Sequence, residues 1–113
     1  MKANDYQTLA WATAKPFYKS DTQGARKARA LQLTAFTLEL SGAAEELSNK
    51  INRMVESGEN FDVDILSEQL GDILWFVAGF ATMLGVKLET LQSKNIQKLR
   101  ENYPGAIASY KQF

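Results

Sequence analysis

Apolar residues recur at steps of three and four along almost the whole chain, and no alternating run of β-branched residues bounded by hairpin turns interrupts them. That periodicity predicts an all-α fold. A first short helix is expected over Asp5 to Ala14, capped by Asn4 and followed by the loop KPFYKSDTQG, with Pro16 and Gly24 as breakers. A second runs from about Ala25 to Ser57 with Leu31, Phe36, Leu38, Ala43, Leu47, Ile51, Met54 and Val55 facing the interior, and Gly58 ends it. Asp62 or Asp64 caps a third helix that Gly85 ends. A fourth covers about Leu88 to Asn102 and stops at Tyr103 and Pro104.

The third helix carries Leu70, Ile73, Leu74, Phe76, Val77, Phe80 and Leu84 around much of its circumference, which one neighbouring helix cannot cover. The expected architecture is therefore an antiparallel helical bundle of about four helices, completed by oligomerisation, with C2 symmetry favoured. Residues Ile73 to Val86 carry no charge, but the run is shorter than the ~18 to 20 apolar residues of a spanning helix. It reads as a buried core helix. The opening MKANDYQTLAW has no apolar segment or cleavage site of the secretory kind. With no internal repeat or linker, residues 1–113 read as one domain.

Composition narrows the chemistry. Lys plus Arg is 13 and Asp plus Glu is 13, so no net field steers the chain toward nucleic acid or an anionic membrane, and neither is expected as a partner. There is no cysteine and no histidine. Disulfides, thiolate zinc sites, imidazole bases and His-ligated metals are excluded together, and a cytoplasmic setting is the expectation. Carboxylate oxygens favour a hard cation, Mg²⁺ or Mn²⁺.

Two stretches place acids or amides on otherwise apolar helices: LSGAAEEL, residues 40–47, and SEQLGD, residues 67–72. Ala43 with Glu46, and Gln69 with Asp72, are three apart and so lie side by side on facing helices. Asp72 heads the uncharged run, and its carboxylate is expected against a packed interior.

With DYQTLAWATA before them and LSEQLGDILWFVAGFATMLGVKLETL and NIQKLRENYP after, these pieces make the sequence resemble the MazG-like nucleoside triphosphate pyrophosphohydrolases of the all-α NTP pyrophosphatase superfamily. The resemblance spans most of the chain. It implies a helical bundle assembled as a homodimer or homotetramer. The implied reaction is hydrolysis of an NTP or dNTP to the monophosphate and pyrophosphate with Mg²⁺. In the family an E-x-x-E pair and an E-x-x-D pair hold the metal, which in turn holds the triphosphate.

The sequence departs from that pattern at three places. In the family's L-x-G-E-x-G-E-L the first glutamate is Ala43 and the second is kept as Glu46; in E-E-L-G-D the metal-binding glutamate is Gln69 and Asp72 is kept. Using Glu68 instead turns the acid by about 100° from the direction of Gln69. An arginine before the Tyr-Pro pair is Asn102. Unit charges ~4 Å apart at an effective dielectric of about 20 interact by roughly 4 kcal/mol before desolvation, so losing two acids greatly weakens a preformed Mg²⁺ site. The cation is then expected to arrive with the nucleotide.

The candidate metal-facing residues are Glu46, Asp72 and Glu39, with Glu45 a weaker alternative. The resemblance adds Asn95 and Lys98 as substrate-binding residues, and Lys50, one turn beyond Glu46, is a third candidate by its position. Trp75 and Phe76 are read as core, although they can stack on a base, and Gln7 and Trp11 as contributors to a nucleotide pocket across a dimer. The basic cluster GARKARA, residues 24–30, is read as solvating a helix start. Two functional expectations result: a nucleotide pyrophosphohydrolase with a diminished acidic site, and a non-catalytic oligomeric module for nucleotide sensing or protein contact.

Overall fold

A computed structural model of the chain describes residues 1–14 and 25–109, so the expected loop at 15–24 lies outside the described residues. The described residues form four helices and no strand: α1 (Ala3–Ala14), α2 (Ala25–Ser57), α3 (Val63–Leu84) and α4 (Leu88–Asn102). The all-α expectation holds, with α2 and α4 at the anticipated bounds. Two glycines end helices because the chain needs a left-handed residue there: Gly58 at φ 71° after α2 and Gly85 at φ 75° after α3. Of the two candidate caps for α3, Asp62 serves, its Oδ1 accepting from the Ile65 N–H at 3.1 Å.

Helix α3 is central, with α2 packed along one side and α1 along the other. Both neighbours run antiparallel to it. On the α2 side Phe36 meets Gly79 and Ala43 meets Gln69; on the α1 side Gln7 bonds to Thr82, and Thr13 to Trp75. Phe36 is fully buried, and a Cβ on Gly79 would fall 2.6 and 2.8 Å from two of its ring carbons. Trp75 stacks on the Phe36 ring with centroids 6.1 Å apart, while Phe76 and Phe80 meet its edge at 6.2 and 6.5 Å. On the other side, Ala10, Ala78 and Ala81 let α1 approach closely, with Leu88 closing the cluster.

Helix α4 turns away from α3 by 101° and rests chiefly on α1. Its first turn is capped from the other end of the chain. The N–H of Leu88 donates to Gln7 Oε1 at 2.8 Å and that of Glu89 to Asn4 Oδ1 at 3.0 Å. In return Glu89 Oε2 accepts from the Asn4 N–H at 3.0 Å. Asn4 was expected to cap α1; it lies within α1 instead and caps α4. The buried Gln7 amide is completed by donation to Val86 O and Thr82 Oγ1 at 2.8 and 3.1 Å.

The stripe expected to face inward on α2 is only partly buried. Leu31, Leu38 and Val55 stand 64, 67 and 62% exposed, because among the described residues α2 packs chiefly on α3, and one neighbour covers a single stripe. On α3, Leu70, Leu74 and Leu84 are also exposed. The radius of gyration, 17.3 Å, exceeds the ~13 Å of a self-contained domain of this length. No single helix among the described residues is long and apolar enough to cross a membrane.

Two substitutions test this architecture by chemical denaturation. Gly79→Ala pushes a methyl into the buried Phe36 ring and should cost about 1–3 kcal/mol, against a few tenths for an exposed helix position. Gln7→Leu strands the buried Leu88 N–H and should cost about 1–3 kcal/mol.

Candidate functional site

The Phe36–Gly79 contact sets how closely α2 and α3 approach. Seven residues from it along each helix, toward the hairpin, stand Ala43 and Asp72. There a hollow of about 360 Å³ opens, lined by Glu39, Ala43, Glu46, Gln69, Asp72, Trp75 and Phe76. All three candidate metal-facing acids and both altered helix-pair positions therefore share one cavity. Glu45 and Glu68 do not line it.

Asp72 is exposed, not pressed against a packed interior as its neighbours in sequence suggested. The methyl of Ala43 across the gap is too short to cover it. Water thus reaches the carboxylate, which removes the desolvation cost that burial would impose. Glu39 and Glu46 are exposed as well.

Gln69 is buried, and both ends of its amide are bonded. Its Oε1 accepts from Lys50 Nζ at 2.8 Å, and its Nε2 donates to the Ala43 carbonyl at 3.1 Å. A carboxylate in the same place would still face Lys50, but its second oxygen would meet the Ala43 carbonyl, acceptor against acceptor. The amide therefore fits this pocket as it stands. Among the described residues, no group of three or more Asp or Glu converges closely enough to hold a metal ion. The donor set does not fit a resident cation.

Asn95, Lys98 and Asn102 are exposed on α4, and none of them lines the hollow. Trp75 and Phe76 are half-buried, forming part of the Phe36 cluster and also a wall of the cavity; Trp75 Nε1 donates to Thr13 Oγ1 at 2.9 Å. Gln7 and Trp11 line a different hollow, of about 380 Å³, between α1 and the α3–α4 turn. The side chains of most of the basic cluster at 24–30 lie outside the described residues.

Two features escaped the sequence reading. One is the Lys50–Gln69 bond, which spacing within one helix does not reveal. The other is Tyr6: burial first, and then the negative charge of Asp72, push its hydroxyl above the ordinary value of 10.0. Tyr6 and Asp72 are far apart in sequence, and only the antiparallel docking of α1 on α3 couples them.

The chain is 33% identical over 72 residues to the Gene 37 protein of Mycobacterium phage L5, a match covering 60% of this chain and 63% of that protein. The chain thus spans less than two thirds of the length of that curated relative, whose name describes no activity. No family model matches the chain. No solved structure matches it.

Tyr6 offers a titration test. Its folded-state pKa is raised, so the stability it contributes is complete below about pH 10 and is lost as pH rises through the raised value. Asp72→Asn removes one of the two causes, so the Tyr6 ring resonance, followed by NMR, should titrate closer to 10.0 than in the parent. An unchanged midpoint would mean that the carboxylate does not act on α1.

Proposed function

We propose that this chain is a MazG-like nucleotide pyrophosphohydrolase-type protein whose α2–α3 hollow receives a nucleoside triphosphate together with the Mg²⁺ or Mn²⁺ that the nucleotide carries. The observation that carries the proposal is the gathering of Glu39, Glu46 and Asp72 with Ala43 and Gln69 in one cavity walled by Trp75 and Phe76. Of these, Ala43, Glu46, Gln69 and Asp72 are the positions that the family resemblance assigns to metal and nucleotide, and Glu39 is an acid outside that pattern that can partly compensate. Acids cannot hold a polyphosphate directly, so Glu46 and Asp72 act on the cation side of the complex, and Lys50 beside Gln69 meets phosphate oxygens. In the hydrolysis, the oxygen of water bonds to the α-phosphorus. The bond to the bridging oxygen of the β-phosphate breaks, its electron pair leaves with pyrophosphate, and the water proton passes to solvent.

Assembly belongs to the same proposal. The exposed Leu31, Leu38, Leu70 and Leu74 and the open shape of the single chain support a homodimer or homotetramer. A second copy would also be the source of an α4 carrying Asn95 and Lys98 to the cavity, since their own α4 leans on α1.

A second reading has its own observation. The Gln69 amide, bonded at both its oxygen and its nitrogen, and the lack of three converging acids among the described residues favour a nucleotide-sensing or protein-contact module that keeps the fold without turnover.

Pyrophosphate release from a panel of NTPs and dNTPs, with and without Mg²⁺ or Mn²⁺, separates the two. Turnover in the parent should disappear in Asp72→Asn. Turnover confined to the Ala43→Glu, Gln69→Glu double variant would identify a silenced site, and absence of nucleotide binding in both chains would end both nucleotide readings. Light scattering should give a dimer or tetramer mass that falls toward the monomer in Leu70→Glu, Leu74→Glu.

A further inference from the structure

We propose that Lys50 and Arg53 form a receptor for the terminal phosphates of the nucleotide, supplying with fixed side-chain charge part of the positive charge that carboxylate-held metal supplies where four carboxylates are present. The inference rests on the nucleotide reading above and assigns one end of the ligand to a place in the fold. A second hollow, of about 380 Å³, lies on the hairpin side of the acidic one and is lined by Lys50, Arg53, Met54, Ser57, Glu59 and Ile65. Lys50 joins the two cavities. It lines this one and donates to Gln69, which lines the other.

On α2, Glu46, Lys50 and Arg53 follow one another at steps of four and three, so carboxylate, ammonium and guanidinium stand in file along one face. The file covers about 10 Å of helix axis at ~1.5 Å per residue. A ligand with a cation-bridged phosphate at Glu46 therefore finds two positive groups next to it in the direction of the hairpin. The charge count agrees. Ala43 and Gln69 take away two negative charges that would hold one dication, and Lys50 with Arg53 bring two positive charges that need no carboxylates to retain them. Arg53 is exposed, and its planar fork suits the paired oxygens of a phosphate. Glu59 lines the same hollow and opposes an anion there, which sets the direction of one variant's effect.

Calorimetric titration with inorganic pyrophosphate in EDTA tests the receptor, and a parallel titration with a Mg²⁺-bound non-hydrolysable nucleoside triphosphate tests the reading beneath it. Pyrophosphate should bind the parent without metal, bind about tenfold or more weakly to Arg53→Ala, partly recover in Arg53→Lys, and bind more tightly to Glu59→Gln. Asp72→Asn should leave metal-free pyrophosphate binding intact while losing the Mg²⁺-nucleotide. No pyrophosphate binding in EDTA, or binding indifferent to Arg53→Ala, overturns the receptor. In that event Mg²⁺-nucleotide binding that still depends on Asp72 preserves the broader proposal, and its absence removes both. Arg53 is exposed, so circular dichroism matching the parent should accompany each of its variants, and the loss is read as loss of a contact.

Discussion

The fold depends on the seating of one aromatic ring against one glycine. Phe36 is the large side chain that α2 buries completely, and Gly79 leaves the space into which it fits. Close approach at that point fixes the antiparallel register of α2 and α3. From it the chemistry follows by counting: two turns toward the hairpin along each helix bring Ala43 opposite Asp72, and one turn more brings Glu46 and Gln69 together with Lys50. A shift of register by one turn would carry the carboxylates to different levels and divide the cavity. The packing contact and the acidic hollow are thus two consequences of a single alignment, and Trp75 and Phe76 take part in both.

Gln69 is an amide matched to the two groups it meets. A carboxylate here would have one oxygen satisfied by Lys50 and the other set against the Ala43 carbonyl. The amide offers an acceptor to the lysine and a donor to the carbonyl, so Ala43 and Gln69 suit each other. A short residue leaves its backbone oxygen accessible, and the residue opposite has the hydrogen to give it. The result is a site whose floor is held by the bonds of Gln69 to Lys50 and to the Ala43 carbonyl, and whose rim carries its acids exposed to water.

Helical periodicity and end signals were enough to place all four helices, because apolar spacing, Gly58, Asp62 and Gly85 act locally along the chain. The acid cavity was legible for the same reason: residues three apart on a helix share a face whatever that face meets. What escaped was set by the angle between helices. The α2 stripe through Leu31 and Leu38 looked inward because the pattern marks apolar faces and does not say how many neighbours will cover them. Asp72 looked buried because its sequence neighbours are apolar, yet the helix turns it toward a gap that Ala43 leaves open. Asn95 and Lys98 were expected at the substrate, but the 101° bend after α3 directs α4 toward α1, and no local signal announces that angle. The cross-chain roles of Asn4, Gln7 and Tyr6 need partners 66 or more positions away and so lie beyond any window of pattern reading.

Those long reaches have a kinetic meaning. The leading amides of α4 are satisfied by Asn4 and Gln7, across sequence separations of 85 and 81 residues. Such contacts require nearly the whole chain to close on itself, and the entropy of that closure falls due before the hydrogen bonds can reward it. The α2–α3 hairpin needs only a short turn and can assemble early. Helix α4 acquires the caps of its first turn only when α1 docks, so a helix later in the sequence waits on an earlier one, and their junction is a natural seam along which the native state opens before it unfolds.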